Sequence, residues 1–313
     1  MRGRILPRAA NRLVLPEVGD RISRRCGVST VRQRIEALLP EGVLRDLRVV
    51  LGWWRWLRVQ APVVRVLGPQ YHRSRTRVEI DVTWACNLRC FNCNRSCEQA
   101  PTRDRVTLRQ IRRFVEDSVS RGVQWERVRV LGGEPTLHPD LLEIVDLLRH
   151  WRDNHAPKAR IELVTNGHGV RVREALAIIP ADIVIENTSK EDREQPFQPF
   201  NVAPQDLPAY RSADFRSGCD VIENCGVGLT PRGWYPCAVA GGIDRILERD
   251  LGREALPDPS DDMFVELNTF CRVCGIFERR YRPPVTQPVK SSTWSVAYAQ
   301  HRVRRAGRAG RAD

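Results

Sequence analysis

The run Val82-Thr83-Trp84-Ala85-Cys86-Asn87-Leu88-Arg89-Cys90-Phe91-Asn92-Cys93 constrains this chain more than any other. Three cysteines spaced CxxxCxxC follow directly on Val78-Glu79-Ile80-Asp81-Val82, whose alternation reads as a strand. Thiolates gathered on a short loop at a strand end suit a soft metal, either zinc or an iron–sulfur cluster. Four thiolates complete a tetrahedral site, and the local run supplies three. Either a distant residue is the fourth ligand, or one metal position stays open for a substrate or cofactor.

Two further motifs follow later strand-like runs. Leu131-Gly132-Gly133-Glu134-Pro135 comes after Val128 to Leu131, and its paired glycines let backbone approach a ligand closely while the proline fixes the exit. Thr165-Asn166-Gly167 comes after Ile161 to Val164. With these three motifs in this order, the chain resembles the radical S-adenosylmethionine (radical SAM) enzymes over about residues 76 to 230. The resemblance implies that Cys86, Cys90 and Cys93 hold three irons of a [4Fe–4S] cluster, with S-adenosylmethionine chelating the fourth. It implies that Gly132, Gly133, Glu134 and Pro135 hold the methionine amino group, and that Thr165 and Asn166 shape the wall facing ribose and methionine. Asn187, in Glu186-Asn187-Thr188-Ser189 after a fourth strand, offers contacts to ribose hydroxyls or substrate. The family usually has an aromatic residue just before the third cysteine. Here that position is Asn92, so adenine contact is expected through its backbone rather than by stacking. Cys97, four residues beyond Cys93, reads as a buried small residue rather than a reactive thiol.

At 313 residues the chain has room for one catalytic domain with smaller attachments. No run of 18 apolar residues marks a membrane span, and the start, Met1 to Pro7, lacks an apolar signal segment, so a cytoplasmic protein is expected. Ten cysteines in such a compartment read as metal ligands rather than disulfides. They fall into two groups, residues 86 to 97 and residues 219 to 274, with Cys26 alone, which argues for two metal centres. The net charge of +13 is concentrated at the ends: residues 1 to 75 carry 16 Arg against 5 acids, and residues 301 to 313 carry 5 Arg against Asp313. No nucleic-acid-binding motif accompanies this charge, and nucleic acid is not an expected partner.

The chain divides into a basic helical extension (1–75), an α/β core (76–215), a small metal-stapled module (216–284) and a basic surface tail (285–313). In the extension, helices are expected from Ser29 to Leu39 and from Val43 to Val59. The second carries Trp53, Trp54 and Trp56 and is expected to pack on the catalytic domain. The core alternates strands at 78–82, 128–131, 161–164 and 183–185 with helices at 107–120, 141–151 and 170–179, a pattern of parallel strands and crossover helices. The resemblance adds a partial (β/α)6 TIM-like barrel, of which the periodicity displays four units. A further strand is expected near Phe200-Asn201-Val202, and residues His301 to Arg308 are expected to be disordered.

Cys219, Cys237, Cys271 and Cys274 offer a second set of four thiolates. Gly233-Trp234-Tyr235-Pro236-Cys237 resembles the glycine-to-cysteine hairpin of the SPASM and twitch extensions of the same superfamily, and the cysteine order is particularly similar to that of an aminocyclitol dehydrogenase within it. The resemblance implies a twitch-like module with one auxiliary [4Fe–4S] cluster, and a structural Zn(Cys)4 site is the alternative. Cys225 is left over, as a substitute ligand or as a hydrogen donor to a substrate radical. The expected activity is hydrogen abstraction from a small polar molecule (a sugar, aminocyclitol or nucleoside), leading to oxidation. A basic residue near the substrate alcohol, Lys190 or Arg216, would assist its deprotonation, and an external one-electron reductant such as flavodoxin or ferredoxin would drive the reaction. Epimerisation using Cys225, modification of a ribosomal peptide or protein, and a non-enzymatic zinc-stapled binding protein are the alternatives.

Overall fold

The computed structural model describes residues 39–190, 199–278, 285 and 287–309. Cys26 and, apart from Leu39, the helix expected from Ser29 lie outside these residues. Two helices come first, α1 (Glu41–Arg58) and α2 (Ala61–Leu67). Then β1 (Arg77–Thr83), α3 (Leu108–Ser120), β2 (Arg127–Gly132), α4 (Leu141–His155), β3 (Arg160–Thr165), α5 (Val170–Ala177) and β4 (Val184–Asn187) alternate as expected. Each of these four strands lies parallel to its neighbour, so each crossover helix returns the chain to the same end of the sheet. All the loops leaving the strands therefore gather at one edge.

The remaining elements are α6 (Asp220–Asn224), β5 (Val227–Thr230), β6 (Gly233–Tyr235), α7 (Ala238–Leu247), α8 (Phe264–Cys271) and α9 (Ser292–Ala309). The six-stranded sheet has the order β4-β3-β2-β1-β5-β6. Strand β5 pairs in parallel with β1, and β6 turns back antiparallel on β5 through the hairpin at Thr230–Gly233. The chain thus has the expected α/β fold, an open and mostly parallel sheet. Strand β5 lies against β1 rather than extending from β4, with β6 outside it, so the two carry the second cysteine group back beside the first.

Strands β1 to β3 have two buried faces with different chemistry, whereas β4 is mostly exposed. Val78, Ile80, Val82, Val128, Val130, Ile161 and Leu163 face the helices, where Phe114 and Trp151 close the core. Glu79, Arg129 and Glu162 stand opposite one another on the other face, in register across β1, β2 and β3. Arg129 donates to Glu79 at 2.7 Å, Glu162 at 3.1 Å and Glu186 at 2.5 Å. Arg95, on the cysteine loop, donates to Asp81 and Glu79. Removing one partner of a buried ion network leaves uncompensated charge. Arg129→Met is therefore expected to destabilise the protein by about 3–5 kcal/mol, read as the urea midpoint at constant slope.

Helix α3 is fixed at its start by Thr107, whose hydroxyl accepts from the Gln110 N–H while the Gln110 side chain accepts from the Thr107 N–H. Only the end of α1 packs as expected: Trp56 Nε1 donates to the Ala209 carbonyl at 2.8 Å and Val59 is fully buried, whereas Trp53 and Trp54 are half exposed. The segment expected as a surface tail is corrected. It forms α9, which buries Trp294, Ala297 and Tyr298 against Phe200, Phe270 and α7, and it continues helically through the residues expected to be disordered. Apolar residues at a spacing of three and four outweigh the arginines between them. Phe200 to Val202 is buried but forms no strand. Among the described residues no helix is long and apolar enough to cross a membrane.

Candidate active site

The loop after β1 is built against the ends of β2 and β3. The Gly133 N–H donates to the Thr83 carbonyl at 2.7 Å, and the Glu134 N–H to the Ala85 carbonyl at 2.8 Å. Glu134 is fully buried, and both of its oxygens are used. One accepts from the Thr136 and Thr165 hydroxyls, each at 2.8 Å, and the other from the Asn166 N–H at 2.8 Å. Asn166 Nδ2 in turn donates to Asn87 Oδ1 at 2.8 Å and lies 3.8 Å from the Cys86 sulfur. The Asn87 amide reaches the His168 carbonyl at 2.7 Å. Strand β4 joins through the Lys190 N–H, which donates to the Asn166 carbonyl at 3.0 Å, and through Asn187, which crowds Gly167 and accepts from the Ser189 N–H. Three motifs distant in sequence thus form one hydrogen-bonded rim around the thiols.

The thiols feel this surrounding unequally. Cys97 bridges Cys86 and Cys93 through its own sulfur, and those hydrogen bonds lower the pKa of both. Cys93, which also receives backbone N–H groups from Cys97 and Arg95, is held at about 5. Burial raises Cys90 to about 11, against the pull of the Lys190 ammonium. Cys97 is buried, as expected, but it belongs to the site's immediate surroundings. Among the described residues no group of three or more Cys, His, Asp or Glu side chains is drawn tightly enough to grip a single metal ion. The fit to a larger cluster rests on the donor set of three thiols and on the N–H groups that favour their thiolate forms.

The structure brings Cys86, Cys90, Cys93, Gly132, Gly133, Glu134, Pro135, Thr165, Asn166, Asn187 and Lys190 to this one edge. Of the expected site residues, Arg216 stands apart, and Asn92 has its side chain engaged elsewhere. The Asn92 side chain is buried and spent on the chain before α9, donating to the Gln287 carbonyl at 2.8 Å and accepting from the Val289 N–H. Arg216 is paired with Asp214 through two bonds, at 2.9 and 2.7 Å, in a separate surface groove. The buried charges of the inner face were legible only as alternation.

His138, just beyond Pro135, was also missed. Its Nδ1 accepts from the Asp140 N–H at 3.0 Å, so its Nε2 donates to the Val106 carbonyl at 2.9 Å and the ring is held neutral. Burial lowers its pKa below the ordinary 6.5. A base with a depressed native pKa binds fewer protons folded than unfolded, so the stability it confers is lost as pH falls below about 6.5. His138→Gln is expected to flatten the loss of stability between about pH 6.5 and 5, checked by urea unfolding across that range.

The second cysteine group lines one small pocket, a cavity of about 20 Å³. Cys219 caps α6, Cys237 caps α7, Cys271 ends α8 and Cys274 opens the turn after it. The rest of the wall is apolar, including Val239, Ile243, Leu267 and Phe270. Burial raises the Cys237 thiol well above its usual range, with Cys219 and Cys274 adding to the shift. The fit of this pocket to a thiolate-held metal group rests on its donor set of four sulfurs. Cys225 is buried beside Cys219 and is disulfide-bonded in this structure, which leaves it no S–H hydrogen to donate.

Residues 80–184 match the Radical SAM superfamily. The matched segment contains all three motifs of the first site. Among curated relatives, the probable GTP 3',8-cyclase of Archaeoglobus fulgidus is 30% identical over 173 residues, covering 53% of this chain and 50% of the relative. The GTP 3',8-cyclase of Streptomyces coelicolor is 35% identical over 127 residues, covering 40% and 35%. The chain spans a third to a half of the length of these relatives. A crystal structure of BtrN in complex with AdoMet and 2-DOIA covers 71% of this chain and 98% of its own, at 15% identity and a TM-score of 0.39.

Proposed function

We propose that this chain is a radical SAM oxidoreductase acting on a small polar molecule. The observation that carries the reading is the union of Cys86, Cys90 and Cys93 with the Glu134–Thr165–Asn166 hydrogen bonds at one sheet edge. Cys86, Cys90 and Cys93 would hold a [4Fe–4S] cluster. Gly132 to Pro135 would meet S-adenosylmethionine with backbone groups, since the Glu134 carboxylate is already occupied. When bound and reduced, this pair supplies a 5′-deoxyadenosyl radical that takes a hydrogen atom from a substrate C–H bond.

Of the charges on the inner face, Glu79, Asp81, Arg129 and Glu162 are buried and paired, and the partly open Glu186 carboxylate suits a hydroxylated or amino-bearing substrate rather than an apolar one. Lys190, close enough to act on Cys90 and Cys93, would take the alcohol proton during oxidation only as the neutral amine, after giving up its own proton. The cavity at Cys219, Cys237, Cys271 and Cys274 would hold an auxiliary [4Fe–4S] cluster, and a second redox centre favours oxidation over return of the hydrogen. External electrons would come from a flavodoxin- or ferredoxin-like donor. Sugars, aminocyclitols and nucleosides deuterated at each C–H position test the substrate class. Deuterium is expected in 5′-deoxyadenosine from one of them. Transfer from a peptide alone would contradict the proposal.

A further inference from the structure

Arg245, on α7, is 3% exposed, and among the described residues no Asp or Glu forms an ion pair with it. Its guanidinium reaches across to the loop of the first cysteine group, donating to the carbonyls of Ala100 at 2.7 Å, Arg95 at 2.7 Å and Ser96 at 2.9 Å. It lies 5.2 Å over the ring of Trp84, two residues before Cys86. Its Nε is buried without a hydrogen-bond partner. Two other buried arginines, Arg95 and Arg129, face carboxylates, whereas Arg73 donates to the carbonyls of Asp258 and Asp261. A buried cation is costly unless an anion compensates it. The groups acting favourably on its charge are, from the strongest, the sulfurs of Cys97 and Cys93, then Tyr298 and Asp104. A cluster on three thiolates would place negative charge on that side.

We infer that Arg245 is a positioning residue that serves as the fixed counter-cation of the thiolate centre at Cys86, Cys90 and Cys93, and that it raises the reduction potential of the cluster held there. The inference rests on the reading of that loop as a cluster site. Reduction adds one electron, from an external donor, to the cluster and makes it more negative. A fixed positive charge in a water-poor surrounding stabilises the reduced form more than the oxidised one. The placement also links the two sites, because α7 begins at Cys237 and carries Arg245 two turns later under the other loop.

The test is a potentiometric titration, followed by electron paramagnetic resonance, of the anaerobically reconstituted full chain and of Arg245→Lys and Arg245→Gln. The relevant centre is recognised by its spectral response to S-adenosylmethionine. Arg245→Gln keeps hydrogen-bond donors and loses the charge, and its midpoint is expected to fall by about 59 mV or more, a tenfold loss of reduced centre at fixed donor potential. Arg245→Lys keeps the charge and should stay near the wild-type midpoint. An unchanged midpoint in Arg245→Gln at full iron content overturns the inference, as does an equal fall in both variants, since only hydrogen bonding would then matter. Should Arg245→Gln fold by circular dichroism yet take up no iron at this site, uptake by Arg245→Lys supports the inference and failure of both overturns it. A wild-type protein that binds no iron at this loop is a different result: it removes the cluster reading underneath.

Discussion

Cys90→Ala is expected to lower the iron content of the anaerobically reconstituted protein from roughly eight to roughly four per chain, the contents of two and one four-iron clusters. It should also reduce 5′-deoxyadenosine formation to the protein-free background. The three thiols at this edge come from one short loop, and no described side chain stands ready to replace a missing one in the same geometry. Cys97 is the nearest sulfur, but it is already bound to Cys86 and Cys93. The four sulfurs of the second cavity lie on α6, α7, α8 and the turn after α8, so they should retain their iron. Retention separates loss of one centre from general unfolding. Full iron content with unimpaired cofactor cleavage in Cys90→Ala would remove Cys90 from the ligand set.

Gly133→Ala should be nearly as damaging, although it removes no ligand. A Cβ at Gly133 would stand 2.3 Å from the Ala85 carbonyl oxygen and 2.8 Å from its carbon. Both belong to backbone that the neighbouring N–H groups hold in place, so neither can swing aside. The end of β2 must then separate from the residues leading into Cys86. Overpacking of this kind costs about 1–3 kcal/mol, and in a chain of this size each kcal/mol lowers Tm by about 2–4 °C. The functional loss should be larger than the stability loss, because the displaced segment carries the first ligand. The variant is expected to retain its circular dichroism and the iron of the second cavity while losing the spectral response to S-adenosylmethionine. A normal response would show that this close approach is not needed to shape the site.

How far the sequence revealed this arrangement depended on local signals. Strands β1 to β4 and helices α3 to α5 announced themselves through apolar periodicity, and Thr107 marked its helix start through its spacing from Gln110. Strands β5 and β6 did not, because four and three residues are too few for periodicity, and their pairing with β1 is a long-range choice. Helix α9 was obscured by the Arg-rich composition of its end, although Trp294, Ala297, Tyr298 and His301 already carried a helical spacing. Alternation in Val78 to Val82 read as a strand with one polar face. What it could not reveal was that Glu79 and Asp81 are as buried as their apolar neighbours, because Arg95 and Arg129 arrive from other parts of the chain. The cysteine, Gly-Gly-Glu-Pro and Thr-Asn-Gly motifs were legible as motifs. Glu134 as the carboxylate that ties β2 to β3, and Arg245 beneath the loop, required the fold.

The central claim is that the loop from Cys86 to Cys93 holds a cluster open to S-adenosylmethionine. Iron, sulfide and zinc analysis of the anaerobically purified protein, followed by reduction with S-adenosylmethionine and assay of 5′-deoxyadenosine, tests it most directly. The account predicts roughly eight irons per chain and formation of the nucleoside only on reduction. A colourless protein with zinc on its thiols and no reductive cleavage would contradict it.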